Sequence, residues 1–240
     1  MTGDAGKLDN STFSCKVPQI KSDVVGDDRW GCMHRRYVAE AKVSEAEVLF
    51  IGDSIIQQLQ FSTLWTEKIN SLHCVNFGIG GDRVEHVLWR VLNGELEFTV
   101  PIKVVVLFVG TNNTDCTAQN IFEGICEIVR VIKEKLGNVT VILPTLLPRG
   151  QFPNPNRVRN LEVNVLLMNH FKNGPVVSPD SNDTNKEKDL SSFHVIPIHE
   201  DIIQSDQTIS HYIMYDYLHL TNQGYYKIFK PIYEKLQYLL

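Results

Sequence analysis

The first candidate for chemistry in this sequence is the hydroxyl of Ser54. The stretch VLFIGDSIIQQLQ, residues 48–60, runs four apolar residues into Gly52, Asp53 and Ser54 and then becomes amphipathic. A strand followed at once by a helix would deliver the Ser54 hydroxyl to the edge of a sheet as a nucleophile. The same position also suits an ordinary helix cap, because Ser and Asp side chains accept the free backbone N–H groups of a first helical turn. The stretch by itself leaves both interpretations open.

A partner for this hydroxyl is present near the other end of the chain. A serine is a poor nucleophile until a neighbouring base removes its proton, and that base is usually a histidine oriented by a carboxylate. Of the eight histidines, His219 is the best candidate, because Asp216 lies three residues before it in YDYLHLT, residues 215–221. The alternative is a loop leading into the last helix, in which Asp216 and His219 satisfy local backbone groups.

The sequence argues against two other kinds of site. His194 and His199, with the two acidic residues that follow His199, offer metal ligands, but their odd spacing on a strand would turn the two rings to opposite faces. The run GIGGDR, residues 78–83, has Arg83 where a dinucleotide fingerprint needs its third glycine, and no P-loop is present. We therefore expect neither a metal ion nor a cofactor.

The elements that would position these side chains are predicted by short apolar runs. Runs such as VVVLFV, residues 104–109, are apolar throughout, which is typical of parallel strands covered on both faces. The predicted strands are 48–51, 74–79, 103–109, 139–146 and 193–198, and helical spacing of apolar residues predicts helices around 84–91, 121–132 and 221–236. This alternation predicts an α/β fold: a single doubly wound, flavodoxin-like, five-stranded parallel sheet with helices on both faces.

In such a sheet, ligands bind beyond the carboxyl ends of the strands. Three consecutive predicted strands of this chain end in small or polar residues. These strand ends are Gly52 to Ser54, Gly78 to Asp82, and Gly110 to Asn113. Each of them is also ordinary turn or cap chemistry when taken alone. Together they predict a polar site at one edge of the sheet.

Composition limits the class of protein. With 240 residues, 43% of them apolar, the chain can bury one large core, and its net charge of −5 does not suit a nucleic-acid binder. No apolar run is long enough for a transmembrane segment, the first residues lack a signal-peptide core, and the five cysteines form no C-x-x-C pair. We therefore expect a cytoplasmic protein. Residues 1–16 are expected to be a disordered tail, 17–240 the domain, and 174–192 a polar loop inserted in it.

Four short blocks in this order resemble the SGNH, or GDSL-type, hydrolases. The blocks are GDS at 52–54, NFGIGGD at 76–82, GTNN at 110–113 and D-x-x-H at 216–219. Longer stretches resemble, within that family, the catalytic α subunits of intracellular type I platelet-activating-factor acetylhydrolases. These stretches are GDDRW at 26–30, HVLWR at 86–90, NGELE at 93–97, LLPRG at 146–150 and MYDYLHLT at 214–221. The resemblance covers about 17–240 apart from the polar loop, which is an insertion relative to those subunits.

The resemblance assigns catalytic roles to residues of this chain. It implies Ser54 as the nucleophile, His219 as the general base and then general acid, and Asp216 as the residue that orients His219. It further implies an oxyanion hole formed by the backbone N–H groups of Ser54 and Gly81 and the side-chain amide of Asn112. A helix N-terminus at Ser54 and a glycine that permits close approach of the main chain agree with these assignments.

The resemblance also implies how the acyl group is selected. Ile55, Thr111 and Leu218 match positions that surround the acyl group, and a pocket of this kind would accept acetyl and exclude long acyl chains. Arg83 departs from the family pattern. It would either contact the phosphate of a phospholipid or be a solvated residue of a first helical turn.

The implied function is that of a serine esterase that removes an acetyl group through an acyl-enzyme. The implied substrates are platelet-activating-factor-like phospholipids with acetyl at sn-2. The resemblance also implies a homodimer or heterodimer of catalytic subunits and association with a WD-repeat regulatory subunit linked to dynein. Two alternatives stay open: an acetyl esterase for sugar or aryl esters, and a protein whose main role is binding the WD-repeat partner.

Overall fold

A five-stranded parallel sheet forms the centre of the computed structural model, which describes residues 14–172 and 192–240. The strands are β1 (Val48–Gly52), β2 (Cys74–Gly78), β3 (Val104–Phe108), β4 (Thr140–Pro144) and β5 (Phe193–Ile196). Their order across the sheet is β2-β1-β3-β4-β5, and each neighbouring pair is parallel. The predicted α/β fold, with five parallel strands in flavodoxin-like order, is confirmed.

Helices connect these strands. They are α1 (Arg29–Ala41), α2 (Ser54–Leu59), α3 (Val84–Leu92), α4 (Ala118–Leu136), α5 (Pro155–Lys172) and α6 (Asn222–Leu239), with a π-helical turn at Trp65–Ile69 and a 3-10 turn at Asn70–Leu72. The sequence predicts α3, α4 and α6. The start of α6 is also as predicted, because Thr221 caps it by accepting the Gly224 N–H at 3.0 Å.

Helix α5 has no single apolar stripe, and the sequence analysis does not predict it. Val163 and Leu167 are buried in the core, whereas Val158, Leu161 and Val165 on the same helix are each at least 44% exposed. Apolar residues on both faces remove the 3.6-residue period by which a helix is identified in a sequence. Helix α1 also lacks an aliphatic stripe. Its buried side chains include the polar His34 and the aromatic Tyr37.

The strand register brings the ends of β1, β2 and β3 to one edge of the sheet. Gly52 at the end of β1 lies opposite both Gly78 of β2 and Phe108 of β3. The strand order reverses between β1 and β3, so the residues that follow these strands lie at the crevice where ligands bind in open α/β sheets. The predicted strands 74–79, 103–109, 139–146 and 193–198 each run one or two residues too far at this edge, because buried apolar residues continue past the strand ends, at Ile79, Val109, Leu146 and Ile198.

Two of these strand ends require glycine because backbones approach each other closely. A Cβ atom at Gly52 would lie 1.9 Å from the Phe108 carbonyl oxygen, and one at Gly78 would lie 2.2 Å from the Gln57 backbone nitrogen. A larger residue at either position would separate β1 from β3 or β2 from α2. The glycines therefore determine how closely α2, the helix that begins with Ser54, packs on the sheet.

The predicted disordered tail, residues 1–16, is partly wrong. Residues 1–13 lie outside the described residues, but Cys15 is buried and its side chain packs against Gly124 of α4, which leaves room for it. The ordered domain therefore begins before residue 17. The predicted polar insertion, 174–192, lies outside the described residues except for its last residue. No helix in the described part of the chain is long and apolar enough to cross a membrane.

Candidate active site

Ser54 is held at the junction of β1 and α2. Asp53 adopts an extended conformation as the N-cap of α2, and its Oδ1 accepts the Ile55 backbone N–H at 2.9 Å. Ser54 is the first residue of the helix and is 8% exposed. The helix-cap interpretation of this stretch therefore applies to Asp53, while the Ser54 hydroxyl is left to interact with other groups.

Ser54, His219 and Asp216 form a continuous chain of hydrogen bonds. The Ser54 Oγ lies 2.9 Å from His219 Nε2, and His219 Nδ1 lies 2.6 Å from Asp216 Oδ2. The other oxygen of Asp216 accepts the backbone N–H groups of Leu218 at 3.1 Å and His219 at 2.7 Å. This geometry allows the imidazole to remove the hydroxyl proton while the carboxylate holds its tautomer.

The charge of Asp216 is stabilised in place. Partial burial acts to raise the pKa of this carboxyl, but hydrogen bonds from the His219 ring and from backbone N–H groups hold it below its ordinary value. Asp216 is therefore an anion at neutral pH, as a residue that orients a histidine must be. The ring of Tyr215 stacks on the His219 ring with centroids 5.9 Å apart and limits its rotation.

The loop that carries Asp216 and His219 is a tight turn closed by its own backbone. The Tyr215 N–H donates to the His219 carbonyl oxygen at 3.1 Å, and the Thr221 N–H donates to Ile213 at 3.0 Å. Tyr217, at the tip, has a φ of 60°, a left-handed conformation that is uncommon for a bulky residue. The loop leads directly into the capped start of α6. It holds the His219 ring beside Ser54, the first residue of α2.

Gly81 and Asn112 lie in two loops that are tied together. Gly81 has a φ of +73°, and a Cβ at its neighbour Gly80 would lie 4.0 Å from the Ser54 Cβ. The Asn112 side-chain amide donates to the Asp82 carbonyl oxygen at 2.9 Å, and Asn113 Oδ1 accepts the Val84 N–H at 3.0 Å. The structure therefore joins the loop of Asn112 to the glycine block beside Ser54.

The residues implied for the acyl pocket each lie next to a member of the site. Ile55 follows Ser54, Thr111 precedes Asn112, and Leu218 precedes His219. Ile55 and Thr111 are buried and Leu218 is half-buried. Side-chain hydrogen bonds fix the backbone at two of these residues. The Tyr225 hydroxyl donates to the Ile55 carbonyl at 2.8 Å, and Arg149 Nη1 donates to the Thr111 carbonyl at 2.7 Å.

Asp53 has an electrostatic environment that the sequence analysis did not foresee. It is fully buried, and its Oδ2 has no hydrogen-bond partner among the described residues. Burial raises its pKa to about 7; the nearby Asp82 adds to this shift, while the Ile55 N–H and Arg149 oppose it. The only sequence signal was its place in the GDS block, which indicates a cap but not its burial.

A buried ionic network lies behind the glycine block. Arg90 is fully buried, with Nη1 2.6 Å from Asp82 Oδ2 and Nη2 2.8 Å from Glu95 Oε2, and it also donates to the Gly52 and Phe77 carbonyl oxygens. The ends of β1 and β2 are thus fastened to α3 through one guanidinium. Arg90 belongs to the stretch HVLWR and Glu95 to the stretch NGELE, and neither residue was assigned a role from the sequence.

Neither role considered for Arg83 describes its position. Its guanidinium pairs with Glu85 and lies 2.7 Å from Asp115 Oδ1. It is therefore neither a solvated residue nor a free cation, because two carboxylates already neutralise it. The phosphate contact suggested for Arg83 has no support in this geometry.

His194 and His199 belong to no cluster of metal-ligating side chains among residues 14–172 and 192–240. No group of three or more His, Cys, Asp or Glu side chains in the described ranges could hold a metal ion. The His199 Nδ1 instead lies 2.8 Å from the Thr145 hydroxyl, so this side chain is bound to the end of β4.

Comparison with known proteins identifies the family of this chain. The profile of the GDSL-like lipase/acylhydrolase family matches residues 50–227. The chain is 42% identical over 224 residues to the human platelet-activating factor acetylhydrolase IB subunit alpha2, covering 93% of this chain and 90% of that protein. It is also 42% identical over 223 residues to the human subunit alpha1, covering 93% and 89%.

A solved structure of an acylhydrolase from Bacteroides fragilis has the same fold. The TM-score is 0.65 at 19% identity, covering 91% of this chain and 99% of that one. On the extent of the family match, the chain belongs to the GDSL-like lipase/acylhydrolase family and is a carboxylic ester hydrolase.

Proposed function

We propose that this protein is a serine esterase that removes short acyl groups, acetyl in particular, through an acyl-enzyme formed on Ser54. The observation that carries the proposal is the chain of hydrogen bonds from Ser54 Oγ to His219 Nε2 at 2.9 Å and from His219 Nδ1 to Asp216 at 2.6 Å. A hydroxyl, a base and an orienting carboxylate in this order are the parts that acyl transfer to serine requires.

In the proposed reaction, His219 takes the Ser54 proton as Oγ attacks the ester carbonyl carbon, and the protonated imidazole then gives that proton to the departing alcohol. Water attacks the acyl-enzyme by the same route and restores the serine. The negative oxygen of each tetrahedral intermediate would accept hydrogen bonds from the backbone N–H groups of Ser54 and Gly81 and from Asn112. One N–H of the Asn112 amide is bound to Asp82, and the second is the one assigned to the oxyanion.

The proposed substrate is a phospholipid with acetyl at sn-2, as in platelet-activating factor. Support comes from the two human relatives that carry that activity in their names and from Ile55, Thr111 and Leu218 beside the site. An apolar residue next to the nucleophile and one next to the base would suit a short apolar acyl group such as acetyl.

Covalent labelling tests the proposed nucleophile. A fluorophosphonate probe should modify Ser54 alone, and labelling should be lost in Ser54→Ala and fall strongly in His219→Ala, because the hydroxyl then lacks its base. Ser71→Ala, which removes an exposed hydroxyl, is the matched control and should label like the parent protein. Modification of a serine other than Ser54 would overturn the assignment.

A comparison of substrates tests the proposed ester. The kcat/KM for a 1-alkyl-2-acetyl phospholipid should exceed that for acetylated xylose and for p-nitrophenyl butyrate. A preference for the sugar or the aryl ester would favour the alternative acetyl esterase and reject the lipid.

We also propose that the protein acts in the cytoplasm as a dimer of catalytic subunits and binds a WD-repeat regulatory subunit. Light scattering of the purified chain tests the dimer, and co-purification with a WD-repeat subunit tests the partnership. If Ser54→Ala abolishes hydrolysis and leaves a cellular phenotype intact, the binding role is the dominant one. Cell fractionation tests the location.

A further inference from the structure

The segment before α1 brings a lysine to the glycine block beside Ser54. Cys15 is buried at the start of this segment, and the Gln19 N–H donates to the Glu85 carbonyl oxygen at 3.0 Å. Two residues later, Lys21 Nζ donates to the Gly80 carbonyl oxygen at 2.7 Å. These contacts hold the Lys21 ammonium in place.

The position of this ammonium is close to the site of acyl transfer. A Cβ at Gly81 would lie 2.8 Å from Lys21 Nζ, and one at Gly80 would lie 4.0 Å from the Ser54 Cβ. Lys21 therefore contacts Gly80, the glycine that lies beside Ser54, and also borders Gly81. Gly80 is therefore the residue that links the position of the nucleophile to the position of this ammonium.

Lys21 forms no ion pair with a carboxylate of the described residues, although its charge acts against the rise that burial causes in the pKa of Asp82. Within the two described ranges, no carboxylate oxygen lies within 4.0 Å of Lys21 Nζ, and the side chain is half-buried. An ammonium has three donors, and the one hydrogen bond identified for it here goes to the Gly80 carbonyl oxygen. Arg83 differs from Lys21 in this respect, because its guanidinium forms ion pairs with two carboxylates, those of Glu85 and Asp115.

A cleft of about 320 Å³ extends from Lys21 along the segment before α1. Gly80 and Ile79 line the end near Ser54, and Trp30 and Met33 form an apolar wall. Val24 and Val25 stand at the rim of the cleft and are 91% and 74% exposed, so apolar surface continues outward from it.

The carboxylates at this cleft are already engaged by their own loop. Asp23 accepts the backbone N–H groups of Gly26 and Asp28, each at 2.8 Å. Asp27 accepts the Arg29 N–H at 3.2 Å and pairs with the Arg29 guanidinium at 3.1 Å. Of the two described cations that line this cleft, Arg29 is paired with Asp27, and Lys21 has no carboxylate oxygen within 4.0 Å.

We propose that this cleft binds the alcohol half of the ester and that Lys21 contacts a phosphate carried by that alcohol. The proposal rests on the proposed function, because it takes Ser54 as the point of acyl transfer. A phosphate one carbon beyond the esterified carbon would lie beside Gly80, and the alkyl chain on the other neighbouring carbon of the glycerol would lie along Trp30, Met33 and Val24. Lys21 is thus a specificity residue for phosphate-bearing esters over neutral ones.

The test compares two esters that differ only in the phosphocholine group. The substrates are 1-alkyl-2-acetylglycerophosphocholine and 1-alkyl-2-acetylglycerol, measured with the parent chain, Lys21→Met, Lys21→Arg and Lys16→Met. In Lys21→Met the ratio of kcat/KM for the phosphate ester to that for the neutral ester should fall about tenfold, as expected for loss of a hydrogen bond between charged groups. Lys21→Arg should restore most of the ratio. Lys16→Met removes an exposed lysine of the same segment and should leave the ratio unchanged.

An equal loss of activity on both esters in Lys21→Met would overturn the proposal, because it would show that Lys21 only supports Gly80. An unchanged ratio would overturn it as well.

A second measurement separates this proposal from the lipid assignment. Glycerol 3-phosphate and inorganic phosphate are used as inhibitors of p-nitrophenyl acetate hydrolysis, which requires Ser54 but no lipid. Glycerol 3-phosphate should inhibit more strongly than inorganic phosphate, and its inhibition constant should rise about tenfold in Lys21→Met. If the phospholipid is not hydrolysed but this inhibition depends on Lys21, the lipid assignment fails and the phosphate subsite stands. Equal inhibition by both anions would overturn the subsite for the alcohol half.

Discussion

Replacing Asp53 with Asn should change how the stability of this protein depends on pH. Asp53 is fully buried with one oxygen unpartnered, and its pKa is raised from its ordinary value of 3.8 to about 7. The folded protein therefore holds a proton on Asp53 at pH values where the unfolded chain has released it. Because the folded state binds more protons, stability falls as the pH rises from about 4 to about 7 and is then constant.

The size of this effect follows from the difference between the two pKa values. A difference of about three units corresponds to about 4 kcal/mol over the full titration, of which about 2.5 kcal/mol falls between pH 5 and pH 8. Asn keeps an oxygen that can accept the Ile55 N–H and has no titration. The stability of Asp53→Asn relative to the parent should therefore increase by about 2.5 kcal/mol between these two pH values.

Urea unfolding at several pH values from 5 to 8 measures this difference, and the contributions of other titrating groups cancel between the parent and the variant. Asp201→Asn is the matched control, because Asp201 is exposed with a φ of 59° that Asn tolerates, and the charge change is the same. A difference between Asp53→Asn and the parent that does not vary with pH would refute the reasoning. It would show that Asp53 is ionised in the folded protein.

Three further predictions concern stability and thiol reactivity. Arg90→Met should destabilise the fold by about 3 to 5 kcal/mol in urea unfolding, because it leaves two buried carboxylates without their cation; a loss below about 1 kcal/mol would contradict the network. Gly52→Ala should lower the melting temperature by about 6 to 12 °C in calorimetry, because its Cβ would lie 1.9 Å from the Phe108 carbonyl oxygen; an unchanged melting temperature would exclude that contact. In timed alkylation followed by mass spectrometry, the exposed Cys32 should react before Cys15, because burial raises the pKa of the Cys15 thiol. Reaction of Cys15 first would show that its segment leaves the core readily.

The contact between Asp216 and His219 was predictable, because a spacing of three residues brings the two side chains within one turn of chain. The contact between His219 and Ser54 joins residues 165 positions apart. Apolar runs and turn residues predicted that Ser54 follows a strand at one edge of the sheet and that His219 lies in the loop before the last helix. The pairing itself depends on how α6 packs against α2, which no local pattern contains, and for this pair the family resemblance supplied the assignment.

The helices likewise divide into those that local sequence patterns predicted and those that they did not. Predictions succeeded for α3, α4 and α6, whose apolar residues recur on one face, and failed for α5, where Val158 and Leu161 are exposed opposite a buried face. The predicted tail was wrong at Cys15 for a related reason. A short polar stretch carries no periodicity, and its burial depends on the space beside Gly124 in another helix.

The sequence by itself determined the α/β class, the parallel sheet and the edge at which the polar residues gather, because period, capping and turn preferences act over a few neighbouring residues. Only the tertiary structure decided the charges and partners at that edge. Asp53 is buried without a partner for one oxygen, Arg83 is neutralised by two carboxylates, and Lys21 rests on Gly80 with its charge unpaired among the described residues. The physical reason is that the energy of a charge depends on its burial and on groups that are distant in the chain.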